Sequence, residues 1–410
     1  MTSIPLLSRI GSRAALAAAA LTLASLGHAQ TTAQTTALPL PAAVVAKPAT
    51  TVAELSSVPV PDIAATAWIA LDATSGQIIA ADDPDLSVEP ASLTKVMTAY
   101  LTFKAIEEGR LQLDQEVPVS EKAWRTGGSR MFIEPRKPVT VRELVQGVIV
   151  QSGNDASVAL AEALAGSEEA FAALMNQEAQ RLGMRNTNFL NATGLPHPEH
   201  VTTVRDLAIL AQRITQDFPD HYNYYKQREF TYNDITQPNR NRLLWLDPTV
   251  DGMKTGHTSS AGYCLIATAL RGDRRVVTVV VGAASETVRA QESLKLLNWS
   301  FQNFETTKLY NADQAAVQAR VWKGTVEEAP LGLDEPLWVT VPRGKIPELV
   351  PLAERTDPLI APLHQGQVVG SLKMVLGTTV LRESPLQVLT DVPEAGIVGR
   401  LFDAVRLYFQ

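Results

Sequence analysis

Pro90-Ala91-Ser92-Leu93-Thr94-Lys95-Val96-Met97-Thr98 is the stretch on which the fold of this chain turns. Leu93, Val96, Met97, Tyr100 and Leu101 recur at i, i+3, i+4 spacing until Gly109, so the stretch opens a helix whose first turn carries a hydroxyl and an amine. Ser92 and Lys95 are three apart and share one helical face. A serine hydroxyl is a weak nucleophile until a base takes its proton, and a lysine that is desolvated or near other cations can be neutral enough to do so. Taken alone, the pair is more simply a capping serine and a solvated lysine.

Working outward, Ala67-Trp68-Ile69-Ala70-Leu71-Asp72 and Gln77-Ile78-Ile79-Ala80 flank a Thr74-Ser75-Gly76 turn and read as a hairpin. Thr140 and Glu143 match a capping box ahead of Leu144, Val145, Val148 and Ile149, and that helix runs into Ser152-Gly153-Asn154. Residues 155–165, 168–182 and 203–214 complete a helical cluster. Two β-rich runs, 262–270 and 275–283, surround Arg271-Gly272-Asp273-Arg274 as a second hairpin, and 288–304 reads as a helix. Strands at both ends with helices between predict an α+β domain, one sheet closed around a helical insert. From about Tyr310 short β-rich runs alternate with Gly and Pro turns, predicting a small all-β domain.

The chain has 410 residues, 45% hydrophobic and 19% charged, enough for two or three domains with a sizeable core. Its net charge of −7 with no long basic run argues against a nucleic-acid partner. The single Cys264 excludes an intramolecular disulfide and a Cys₄ or Cys₂His₂ metal site, and no metal or cofactor is expected. Arg9 and Arg13 precede an apolar run at 14–26 and the small residue Ala29, which reads as a signal peptide over 1–29 and an exported protein; an uncleaved amino-terminal anchor is the other reading. Residues 30–61, rich in Ala, Thr, Val and Pro, read as a flexible spacer. At the far end, Ile397, Val398, Leu401, Phe402, Val405 and Phe409 share a helical face opposite Arg400, Asp403 and Arg406. That segment is either an amphipathic helix lying in a membrane surface or a helix docked on the β domain.

Two further motifs carry chemistry. Ser152-Gly153-Asn154 breaks a helical region and can aim a hydroxyl and an amide into a cleft, although such a triplet is ordinarily a turn. Lys254-Thr255-Gly256-His257-Thr258 reads as an edge strand, with Gly256 permitting close approach of a ligand backbone and Lys254 offering a cation to a carboxylate. Ser-x-x-Lys, then Ser-x-Asn 60 residues later, then Lys-Thr-Gly 102 residues beyond, is the signature order of penicillin-binding proteins and class A β-lactamases.

With these three motifs, Val150-Gln151-Ser152-Gly153-Asn154-Asp155-Ala156, Gln237-Pro238-Asn239-Arg240-Asn241 and Val250-Asp251-Gly252-Met253-Lys254, the chain from about Ile63 onward resembles the low-molecular-mass penicillin-binding proteins, serine-type D-alanyl-D-alanine carboxypeptidases of the penicillin-binding-protein 5 type. The resemblance implies a transpeptidase-like catalytic domain over 62–308, an all-β domain over 309–392 and an amphipathic membrane-anchoring helix over 393–410. It implies Ser92 as the acylated nucleophile, Lys95 as its base and Ser152 as a proton relay to the leaving amine. Asn154 lies on the substrate's side of the cleft, and Lys254 and Thr255 hold the terminal carboxylate of a peptidoglycan pentapeptide stem or of a β-lactam. The backbone N–H groups of Ser92 and of His257 or Thr258, just beyond Gly256, form the oxyanion hole. On the same resemblance Arg289 is expected to help bind a carboxylate, and Asp206 and Arg240, which match family motif positions, are expected to be orienting or structural.

A Ser–His reading of His257 lacks the surrounding context of a triad, and His197, His200, His221 and His364 read as loop or surface residues. Class A β-lactamases deacylate with a glutamate-activated water. The stretch 182–198, where such a loop is expected, contains no carboxylate, which favours a carboxypeptidase. The other competitor is a non-catalytic envelope protein that keeps the fold to bind peptidoglycan; three intact motifs count against it.

Overall fold

A computed structural model of the chain describes residues 47–48 and 51–408; the expected signal peptide, most of the expected spacer and Phe409 lie outside the described residues. The sheet of the first domain is built from β1 (Ala67–Asp72), β2 (Gln77–Asp82), β3 (Val250–Thr258), β4 (Gly262–Arg271) and β5 (Arg274–Ala283). All pairings are antiparallel and the order is β2-β1-β5-β4-β3, which puts the Lys-Thr-Gly strand at an edge as expected.

Both faces of this sheet are covered, which is why β5 reads as an almost unbroken valine run. Val277, Val279 and Val281 point into the core shared with the helical cluster. Val276 and Val280 point the other way, onto Leu296, Leu297 and Trp299 of the helix Glu286–Asn303. The helical cluster comprises α1 (Lys95–Glu107), α2 (Val141–Gln146), α3 (Asn154–Ala165), α4 (Glu168–Leu182) and α5 (Val204–Asp217). The α2 capping box forms as expected, with Thr140 and Glu143 side chains each accepting the other's backbone N–H.

Phe304–Tyr310 is already a strand of the second domain, paired with Leu337–Pro342, so the β texture starts slightly ahead of Tyr310. The rest is a mainly antiparallel sheet with two short parallel pairings, Lys47–Pro48 on Thr379–Val388 and Leu359–Ile360 on Ala315–Trp322, over a core that includes Val339, Leu372, Leu386 and Val388. Hydrogen bonds join the two domains: Gln77 Nε2 donates to Thr340 O at 3.2 Å, the Thr340 N–H returns to Gln77 Oε1 at 2.7 Å, and Thr306 Oγ1 donates to Asp72 Oδ2 at 2.6 Å.

The end of the expected spacer is not free chain. Val52 and Ala53 are buried against the sheet, the Val52 N–H donates to Ile78 O at 2.9 Å, and Trp299 Nε1 donates to Pro59 O at 3.1 Å. An irregular segment docked by single residues leaves no periodic signal, so composition alone suggested a linker. The C-terminal helix Ile397–Tyr408 contains no buried residue, and its apolar face is not packed on the β domain.

Candidate active site

The turn that carries Ser92 is tighter than an α-helix. Ala91–Thr94 is a 3₁₀ turn that leads into α1, and in a 3₁₀ turn side chains at i and i+3 eclipse one another. Lys95 Nζ therefore lies 3.0 Å from Ser92 Oγ. The amine is wholly buried, with Asn154 Oδ1 at 2.7 Å and Thr193 O at 2.5 Å. Asn154 donates through Nδ2 to Gly127 O at 2.7 Å, which fixes the amide with its oxygen toward the lysine.

Burial, then the positive charge of Arg240, bring the Lys95 pKa down to about 7, opposed by Asp155. A neutral amine has two N–H bonds and one lone pair. Asn154 Oδ1 and Thr193 O can only accept, so they take both N–H groups and leave the lone pair for the Ser92 hydroxyl proton.

Ser152 follows a π-helical stretch, Gly147–Gln151, and sits in the left-handed region at φ 64°, a conformation costly for a residue with a Cβ and common at functional sites. Its Oγ is buried and has no protein partner. Together with Ser92, Gly128, Ser129, Arg240, Thr255, Gly256, His257, Tyr263, Glu286 and Arg289 it lines a cleft of about 560 Å³.

β3 closes this cleft against Ser92. A Cβ on Gly256 would stand 3.3 Å from Ser92 N and 3.2 Å from Ala91 Cβ, so glycine is what lets the strand backbone approach the Ser92 N–H. Lys254 is buried behind the wall that Thr255 and Gly256 make, its amine on Thr255 O at 2.8 Å. Burial, then Lys95, Arg240 and Arg289, hold its pKa well below the ordinary lysine value. The cations that line the cleft are Arg240 and Arg289. Arg289 is fixed by Gly256 O at 3.4 Å and by the Tyr263 ring 5.7 Å away. His257 is exposed and lies on the same ring at 4.1 Å, with no contact that would make it a base for Ser92.

The sequence-predicted residues thus converge, with two exceptions: Lys254, expected to offer its cation to a carboxylate, lies buried behind the cleft wall on Thr255 O, and Asp206 lies apart. Asp206 is remote from the cleft: it accepts from Asn186 N–H at 2.8 Å and Thr187 Oγ1 at 2.7 Å and holds a loop, the structural alternative stated for it. His200 is not a surface residue but is buried under α1, 2.8 Å from Thr94 Oγ1.

Several contributors carry no motif. The Thr193 carbonyl is presented by a loop in which Asn191 Oδ1 accepts from the N–H groups of Thr193, Gly194 and Leu195. Asp155 accepts from the N–H groups of Met131, Phe132 and Ile133 and so holds the segment whose Gly128 and Ser129 line the cleft. A main-chain carbonyl has no residue signature, and the motifs did not single out Gly127-Gly128-Ser129. The loop 191–195 brings the Thr193 carbonyl and no carboxylate to Lys95, while Glu168 bonds Ala192 N–H and pairs with Lys122. Among the described residues no group of three or more His, Cys, Asp and Glu converges as a metal site requires.

Residues 54–285 match the family model for D-alanyl-D-alanine carboxypeptidase, and 304–394 match that for the penicillin-binding protein 5 C-terminal domain. The D-alanyl-D-alanine carboxypeptidase DacC of Escherichia coli K12 is 44% identical over 361 residues, 86% of this chain and 90% of that protein. DacA of the same strain is 39% identical over 85% and 89% of the two chains. The crystal structure of penicillin-binding protein 5 from Haemophilus influenzae superposes with a TM-score of 0.80 at 41% identity, over 82% of this chain and all of that one. Penicillin-binding protein D2 from Listeria monocytogenes in its ampicillin-bound form matches at a TM-score of 0.55 and 29% identity, over 60% of this chain and all of that one.

Proposed function

The chain belongs to the D-alanyl-D-alanine carboxypeptidases of the peptidase S11 family, and from that premise we propose that it removes the terminal D-Ala from peptidoglycan pentapeptide stems through an acyl-enzyme on Ser92, and that β-lactams acylate the same hydroxyl. The observation that carries this assignment of roles is the buried Lys95 amine, 3.0 Å from Ser92 Oγ with both of its N–H groups engaged elsewhere.

Lys95 takes the Ser92 proton as Oγ attacks the carbonyl carbon of the penultimate D-Ala. The negative charge that develops on the carbonyl oxygen meets the N–H groups of Ser92 and His257, donors fixed in place before the reaction. Collapse breaks the peptide bond, and the leaving amine receives its proton through the Ser152 hydroxyl, replenished from the Lys95 ammonium. Water then attacks the Ser92 ester with Lys95 again as base, releasing the shortened stem. The terminal carboxylate of the substrate lies against Thr255 and Arg289; its arrival favours the charged form of Lys254 behind them.

A fluorescent penicillin should label the wild type covalently and fail to label Ser92→Ala; an unlabelled wild type overturns the assignment. Release of D-Ala from a muramyl pentapeptide, with cross-linked dimers left intact, separates carboxypeptidase from endopeptidase.

The same proposal extends to location. Residues 1–29 direct export, and the protein works at the outer face of the cytoplasmic membrane, held there by the helix Ile397–Tyr408. The exposure of Ile397, Val398, Leu401 and Phe402 supports a membrane-surface contact.

A further inference from the structure

We propose that a second groove beside the cleft binds the glycan of peptidoglycan, an N-acetylated amino-sugar chain, so that the substrate is held by its sugars while its peptide reacts. This rests on the cleft being the peptide site. The groove encloses about 730 Å³ and is lined by Gln146, Gln227, Arg228, Phe230, Pro238 and Trp245, among others.

Its chemistry suits a sugar. Trp245, on the short helix Leu243–Leu246, is 47% exposed, an unusual exposure for an indole, with the Arg228 guanidinium 5.8 Å from the ring. Arg228 is itself held by Leu244 O at 2.8 Å, so the aromatic platform is fixed in advance. The C–H face of a pyranose stacks on such a ring, and the indole contributes a large contact at little entropic cost. Gln146 Nε2 donates to Gln227 Oε1 at 3.1 Å. That pairing leaves an amide oxygen on Gln146 and an amide N–H₂ on Gln227 for hydroxyl and acetamido groups. Arg228 stands against Glu143 and Glu229, of which Glu143 is engaged in the α2 capping box, so the lining carries a formal charge of −1 and does not favour an anionic ligand.

Position also favours this occupant. Pro238 lines the groove and Arg240 the cleft. Asn239 between them is buried, with its N–H on Arg228 O at 2.6 Å and its Nδ2 on Gln227 O at 2.9 Å. Gln237 Nε2 reaches Arg130 O at 3.3 Å, next to the Gly128–Ser129 wall of the cleft. One rigid wall therefore serves both sites, as a stem peptide covalently attached to its glycan requires.

The test compares a disaccharide pentapeptide with the sugar-free pentapeptide in the full-length wild type, Trp245→Ala and Trp245→Phe. Trp245→Ala should raise KM for the disaccharide substrate by about tenfold, the loss of one well-packed aromatic contact. KM for the free peptide and the rate of penicillin labelling should stay unchanged, and Trp245→Phe should recover most of the loss. An equal effect on both substrates, or none on either, overturns the proposal. Titration with chitotetraose, an oligomer of N-acetylglucosamine, reads the groove without turnover: saturable binding by the wild type that Trp245→Ala abolishes is expected, and absence of binding overturns it. Failure of penicillin labelling is a separate result, which overturns the catalytic assignment while leaving the chitotetraose titration to decide the groove.

Discussion

His200 lies buried beneath the Ser92 turn with Nε2 2.8 Å from Thr94 Oγ1, while Leu190 N–H donates to its Nδ1 at 2.9 Å. The Leu190 bond fixes the tautomer: Nδ1 accepts, so Nε2 carries the proton and donates to the hydroxyl between Ser92 and Lys95 in the chain. The ring must be neutral to do this. Burial, then His197 and Lys95, lower its pKa from 6.5 to about 4. Because the folded value is the lower one, the unfolded chain binds more protons over that interval. The stability supplied by the neutral ring is complete above about pH 6.5 and lost as pH falls through about 4. Melting temperatures measured across this range should fall with pH in the wild type and vary less in His200→Asn. The variant should also be acylated more slowly by penicillin; identical pH profiles for the two proteins would sink the argument.

With its pKa brought down to about 7, Lys95 should set the acidic limb of the reaction if it is the base for Ser92. Acylation by penicillin should increase with pH through about 7, as the amine loses its proton and becomes a base. Arg240 contributes to that lowering, so Arg240→Met should move the limb to higher pH, a shift that simple loss of binding would not produce. Lys95→Arg, permanently charged, should label negligibly. A limb in the same place with and without Arg240 would show that its charge does not reach the lysine.

Gly256 marks how closely the edge strand approaches the nucleophile. In Gly256→Ala the added methyl would meet Ala91 Cβ at 3.2 Å and Leu93 Cγ and Ser92 N at 3.3 Å, tight enough to push the strand away by a few tenths of an ångström. Misplacing an oxyanion donor costs on the order of 10²-fold in rate. The expected outcome is acylation slowed by about that factor, with a melting temperature close to that of the wild type. An unchanged acylation rate would remove the His257 N–H from the oxyanion site.

The path from Ser92 to Lys254 was legible because three short motifs share one order in the chain, and because hydrophobic periodicity placed each on the right kind of element. The spacing of Ser92 and Lys95 has a direct physical meaning in the 3₁₀ turn, where it eclipses the two side chains. What stayed hidden acts through backbone or through distant packing. The Thr193 carbonyl takes one of the two lysine N–H bonds, and no residue type advertises a carbonyl. Asp155 works by holding backbone N–H groups 22 to 24 residues upstream. His200 sits in a loop rich in Pro and His that reads as surface, and only the hairpin contacts of that loop, such as Asn188 with Val201, carry it inward. Val52 and Ala53 likewise dock one residue at a time, in a segment whose composition suggests free chain.

The last helix offers the sharpest test of location. Its polar side is tied down, with Asp403 Oδ2 accepting from Lys323 N–H at 2.6 Å and Arg400 paired with Glu394 at 2.5 Å. Its other side carries Leu401 and Phe402, each 67% exposed, and Val405. Burying such a side chain is worth roughly 1.5–3 kcal/mol, so replacing Leu401 and Phe402 by Glu should weaken partition onto vesicles of phosphatidylethanolamine and phosphatidylglycerol by about a hundredfold or more. Deleting residues 396–410 should abolish co-sedimentation with the same vesicles. Penicillin labelling should be unaffected in both variants, since the helix makes no contact with the cleft. Undiminished sedimentation of the deletion variant would assign membrane contact to another surface, and loss of labelling would mean that the helix supports the catalytic fold.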